Sequence, residues 1–149
     1  MDAEAQLDSF MARYSPEVAA DARQALSFLQ TRLPTAFRLV YDNYNALVIG
    51  FASGEKASDA FLSIALYPKY VRLFFLRGVD LEDPDHLLEG SGAQVRSVKL
   101  APASLIEEPE VCALIDAAVA NTWPLPGSGE GPLIIKSISP SQRPRRAAG

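Results

Sequence analysis

The chain has 149 residues, 48% of them hydrophobic and 21% charged, with a formal net charge of −4. That length suits one domain around a single core, and the composition excludes collagen-like, wholly disordered and disulfide-stapled classes. No apolar run approaches the roughly 18 residues of a membrane-spanning helix, and the single cysteine, Cys112, cannot pair internally, which suits a reducing cytoplasm.

The first ten residues carry three acids and no base, the wrong charge for a secretory signal. Leu7, Phe10, Met11 and Tyr14 fall on one helical face. Ser15-Pro16 then supplies a hydroxyl cap and a residue preset for the first helical position. Val18, Ala22, Ala25, Leu26, Leu29 and Leu33 form the next apolar stripe, and Pro34 ends it. The pattern predicts one kinked helix or two consecutive helices ending near Arg32.

Strands follow. Phe37 to Asp42 alternates, Asn43-Tyr44-Asn45 turns, and Ala46 to Ala52 resumes the extended pattern. After a polar loop over 53–59, Phe61–Tyr67 and Tyr70–Leu76 flank the break at Pro68-Lys69, and Gln94–Leu100 makes a fifth strand. Turns this short require antiparallel neighbours. Asp83-Pro84 starts a helical turn that Gly90 closes, and Pro109 opens a last helix ending at Asn121. Helix, meander, helix predicts an α+β two-layer sandwich. Its antiparallel sheet has five strands, or six if Leu133–Ile138 joins an edge. The expected core includes Leu29, Leu39, Ile49, Ile64, Leu73, Phe75 and Ile115.

Residues 124–149 hold five prolines and four glycines, so the α+β domain is placed at 1–123 and a linker at 124–132. A strand-like segment and a basic tail occupy 133–149, with mobility expected from Ser139 onward. Lys136, Arg143, Arg145 and Arg146 face no acid there, whereas ten bases meet eighteen acids before residue 131. Such a tail suits folding back onto the acidic body, reaching an external anion, or both. Three arginines on duplex DNA would give a log–log salt slope of about −3 at most.

Catalytic patterns are sparse. Cys112 sits beside an apolar helical stripe as a small hydrophobe, His86 is a lone surface imidazole, and no nucleophile elbow, zinc or phosphate-loop pattern occurs. The acidic run supplies Asp80, Glu82, Asp83 and Asp85 as hard oxygen ligands for a weak, exposed divalent-ion site. If Leu39, Ile49, Ile64 and Leu73 face the helices, alternation sends Arg38, Val40, Val48, Phe61, Tyr67, Arg72 and Phe74 to the opposite face. Arginines among aromatics there suit a planar or anionic ligand, a partner, or self-association through the sheet face.

Three stretches carry a family resemblance: Tyr41-Asp-Asn-Tyr-Asn-Ala-Leu-Val-Ile-Gly-Phe, Tyr67-Pro-Lys-Tyr-Val-Arg-Leu-Phe-Phe-Leu-Arg-Gly, and the run from Asp83 to Val98. In this order, across roughly residues 16–120, they resemble the YdhG-like bacterial family. The resemblance implies a frataxin-like sandwich and an intracellular iron-chaperone role. Iron binding of that type draws on acids of the first helix and strand, represented here by Asp2, Glu4, Asp8, Glu17, Asp21 and Asp42 among several arginines.

Together these readings describe a cytoplasmic, non-enzymatic binding protein without a membrane partner. The first expectation is weak handling of Fe²⁺ or another divalent ion. The alternative is an anionic partner, nucleic acid or phosphate, held by Arg38, Arg72, Phe74, Lys136, Arg143, Arg145 and Arg146.

Overall fold

The computed structural model describes residues 1–147, so Ala148 and Gly149 of the basic tail lie outside the described residues. Two consecutive helices open the chain. In α1 (Ala3–Met11) the Asp2 carboxylate accepts from the Ala5 amide at 2.8 Å. In α2 (Pro16–Arg32) the Ser15 hydroxyl accepts from Val18 at 3.2 Å, with Pro16 in the first turn. Leu33, held out of the helical region by Pro34, ends α2 with φ −127°.

Six strands form one sheet: β1 (Phe37–Asp42), β2 (Leu47–Ala52), β3 (Ala60–Leu66), β4 (Val71–Phe75), β5 (Arg96–Lys99) and β6 (Leu133–Ile138). Their order is β5-β4-β3-β2-β1-β6. The first five pair antiparallel, while β6 pairs parallel to β1 and makes the sheet mixed rather than purely antiparallel. A parallel partner needs a long connection, and residues 43–132, which carry β2 to β5 and then α3 (Pro109–Ala120), provide it. Entry into β6 is tight: the Gly131 amide donates to Pro34 O at 2.9 Å, and a Cβ at Gly131 would overlap the Ala36 carbonyl.

All three helices share one core with the inner face of the sheet. Register places Val40, Ile49, Ile64, Leu73 and Val98 in one row across that face. Of the expected core residues, Leu29, Ile49, Ile64, Leu73, Phe75 and Ile115 are fully buried in this cluster. Leu39 is equally buried but lies on the outer face, beside Ile134 of β6. The facing of β1 is therefore the reverse of the sequence expectation, and Arg38 and Val40 look toward the helices. Arg38 can do so because Glu4, Gln30 and the Gly131 carbonyl receive its guanidinium. Phe61, at the register shift between β2 and β3, also packs in the core. Val48, Arg72 and Phe74 do lie on the outer face.

Two local expectations change. Residues 83–90 form a turn instead of a helical segment. Both Asp83 carboxylate oxygens accept backbone amides, from Leu87 and Leu88 at 2.9 Å each, and His86 adopts a left-handed φ of 54° that stops any helix. Residues 139–146 are docked on the domain rather than extending free of it. The Ser139 amide donates to Asp42 O at 2.8 Å, and the Arg143 amide donates to Tyr44 O at 2.9 Å. No helix among the described residues is long and apolar enough to cross a membrane.

Leu73 sits in the middle of the inner-face row with no exposed surface. Leu73→Ala is expected to cost about 2–5 kcal/mol by urea unfolding. A loss below about half a kcal/mol, outside that cavity-forming range, would contradict its place in the core.

Candidate functional site

One end of the sheet is built around Asp42, the last residue of β1. Its side chain is 2% exposed, and its carboxylate accepts from the Arg145 guanidinium at 2.9 Å. The Arg145 side chain is itself 3% exposed. Its remaining donors reach the Asn43 carbonyl at 2.6 Å and the Tyr44 carbonyl at 3.5 Å, while Nε has no partner. The guanidinium lies 5.6 Å from the Tyr14 ring centroid, within cation–π range. Arg13 approaches the other Asp42 oxygen at 3.9 Å.

Tyr14 joins the helices to the same sheet end. Its hydroxyl donates to Leu66 O and accepts from the Leu47 amide, both at 3.0 Å. Burial pushes this phenol above the ordinary tyrosine value. The folded protein therefore keeps a proton that the unfolded chain loses, and stability falls as pH rises past about 10. Tyr14→Phe leaves the Leu47 amide buried without an acceptor. The substitution should cost about 1–3 kcal/mol at neutral pH and shrink the alkaline decline. Burial raises Tyr41 and Tyr67 as well, so some decline persists. Paired chemical-denaturation curves at pH 7 and above pH 10 check both expectations. An unchanged neutral stability would contradict the hydrogen-bond assignment.

Docking of the segment creates a groove. The turn between β3 and β4, the β1–β2 turn and residues 143–147 enclose about 780 Å³. Tyr67, Lys69, Tyr70, Arg143 and Arg146 line it, and no acidic side chain among the described residues does. The two tyrosine rings lie 5.1 Å apart at 31°. Beyond Tyr70, Lys99 Nζ stands 5.0 Å and the Arg72 guanidinium 5.9 Å from its ring centroid, extending the basic strip onto the outer face. Ring faces, phenol donors and cations thus converge in one concavity.

The structure separates the arginines that the sequence groups together. Arg145 is consumed by Asp42, which removes it from any external anion. Arg38 is buried on the helix side, against Glu4. Arg146 donates to the Arg13 and Ala12 carbonyls after α1, at 3.2 and 3.4 Å, while still lining the groove. Arg143 lines it with an exposed side chain. Lys136 donates to the Glu55 carbonyl at 2.8 Å, away from the groove. Arg72 stays on the outer face, 3.3 Å from Glu89, with Phe74 two residues along β4. Lys69, Tyr70 and Asn45 are absent from the sequence-based site, where Pro68-Lys69 reads only as a strand break. A lysine bracketed by two tyrosines at a hairpin turn was the available signal.

The acidic candidates Asp80, Glu82, Asp83 and Asp85 line a separate groove of about 450 Å³ with Glu110. They do not assemble as ligands, since no group of three His, Cys, Asp or Glu among the described residues is placed to hold a metal ion. Asp83 is occupied in capping the turn, and Asp80 pairs with Arg77 at 2.9 Å. The six acids of the first helices and strand also include Asp42, already committed to Arg145. Cys112 donates to Ile106 O, and burial pushes its thiol up, away from thiolate reactivity.

Fold and site together define an α+β protein with an open six-stranded mixed sheet and a cationic, tyrosine-walled groove at one end. No family model, curated protein or solved structure matches this chain.

Proposed function

We propose that this chain is a non-enzymatic binding protein that takes a ring-bearing phosphorylated ligand, of the nucleotide class, in the groove beside Tyr67 and Tyr70. One observation carries the reading: among the described residues, every charged side chain lining a 780 Å³ groove is a cation, on a chain whose net charge is −4. Random placement on an acidic surface would mix the signs. Lys69 and Arg143 supply charge for phosphate oxygens, Arg146 adds a third cation, and a tyrosine face accepts a flat ring. The volume lies in the range of small-ligand sites, about 300–1,000 Å³. A single cysteine, unable to pair within the chain, suits a reducing cytoplasm. The YdhG-like resemblance and its frataxin-like fold accompany this reading, whereas the iron role lacks an assembled ligand set among the described residues.

Calorimetric titration with ATP, adenosine and tripolyphosphate tests the groove. ATP is expected to bind more tightly than either fragment, and added salt should weaken it. Lys69→Ala and Arg143→Ala should each cost about tenfold in affinity, the loss of one charge-assisted contact. A short single-stranded oligonucleotide distinguishes a free nucleotide from a polymer carrying the same chemistry. Absence of ATP binding into the millimolar range, or affinity untouched by both substitutions, would overturn the assignment.

A further inference from the structure

A second concavity lies at the opposite end of the β3–β4 hairpin and owes nothing to the cationic groove. It encloses about 470 Å³ between the start of β3, the end of β4 and the residues that follow α3. Leu81, half-buried, with the edges of Phe61 and Ala118 gives it an apolar floor, and Phe75 lies fully buried beneath. Trp123 stands at its wall with 77% of its surface exposed, although aromatic side chains are usually withdrawn from water.

Backbone constraints hold the indole there. The Asn121 and Thr122 amides close the last turn of α3 on Ala117 O and Val119 O, at 3.1 and 3.2 Å. Pro124 then disfavours helical geometry at Trp123, which lies outside α3 with its ring exposed. It is the chain's only tryptophan. Arg77 is the only charged residue lining the cavity. Its Nε donates to Asp80 at 2.9 Å in an exposed pair, with side chains 67% and 46% accessible. Guanidinium carries five donors, so the Nη groups remain for a second anion. Ser58, Asn121 and Thr122 add neutral polar groups at the lining.

We infer that this cavity is a second small-molecule site, for an amphipathic acid whose flat apolar body covers Trp123 and whose carboxylate meets Arg77. Enclosed volume bounds the ligand to a small molecule. The apolar floor and exposed indole favour a hydrophobic body, and the single lining charge sets the sign of the head group. The acidic run 80–85 lies in the neighbouring groove beyond Leu81, which confines an anionic head to the Arg77 side.

Three probes of one shape separate these contributions: 4-phenylbutyrate, 4-phenylbutanol and 4-phenylbutylamine. Excitation beyond both the phenyl absorption of the probes and the tyrosine absorption of the chain reads Trp123, its single tryptophan. The acid is expected to change the emission saturably and to bind about tenfold more tightly than the alcohol, one charge-assisted contact's worth. Arg77→Gln should abolish that preference while leaving alcohol binding in place. Trp123→Ala, followed by calorimetry, should weaken acid and alcohol alike. The site is wrong if no probe saturates the signal into the millimolar range, or if Trp123→Ala leaves both affinities unchanged. The charge assignment is overturned if the amine binds as tightly as the acid, or if Arg77→Gln preserves the acid's preference.

Discussion

The buried ion pair between Asp42 and Arg145 is the contact on which one end of this structure depends. Its partners lie 103 residues apart, and both side chains are almost completely removed from water. Taking two charges out of water costs several kcal/mol each, and mutual attraction offsets this only where further hydrogen bonds are made. Two carbonyls of the β1–β2 turn and the face of Tyr14 meet that condition for Arg145. The pair is thus better understood as a device of position than as a source of stability. It holds residues 139–147 against the sheet and aims Arg143 and Arg146 into the groove. Tyr14 extends the same device to the helices, since its hydroxyl spans the ends of β2 and β3.

Helices, strands and most of the core were legible in the sequence, because each rests on local pattern. Ser15-Pro16, the Asn-rich turn after β1 and Pro109 act through their own neighbours in the chain. The facing of β1 was not legible. Phe37, Leu39 and Tyr41 look like the buried set, but Arg38 and Asp42 occupy the helix side because each finds a partner distant in sequence. Hydrophobic periodicity assumes that charges face water, and it fails wherever a charge is paired inside. The end of the chain misleads for the same reason. Prolines and arginines without large apolar side chains read as a solvated arm, and nothing near Arg145 shows that Asp42 awaits it. The parallel pairing of β6 is likewise non-local, joining strands separated by residues 43–132 with Gly131 passing close to Ala36.

Charge is segregated along the β3–β4 hairpin. Its turn carries Tyr67, Lys69 and Tyr70 beside the docked arginines, while its open end carries Phe61, Phe75 and Arg77 beside Trp123. The acids singled out for metal binding border the second end, with Asp83 tied up in turn capping and Asp80 in an exposed pair with Arg77. A simple tally of net charge would miss both concavities, because each depends on which side chains the fold brings together. The cationic groove in particular exists only while the segment after β6 is docked.

Native-state hydrogen exchange tests that dependence most directly. The Arg143 amide donates to Tyr44 O and the Leu73 amide belongs to the sheet core, so the two report docking and global folding separately. Asp42→Asn removes the charge from the pair but keeps its shape. If the ion pair holds the segment, Arg143 is protected in the native chain and loses protection in Asp42→Asn, while Leu73 stays slow. Unfolded-rate exchange of Arg143 in the native chain, or equal protection in both proteins, would contradict it.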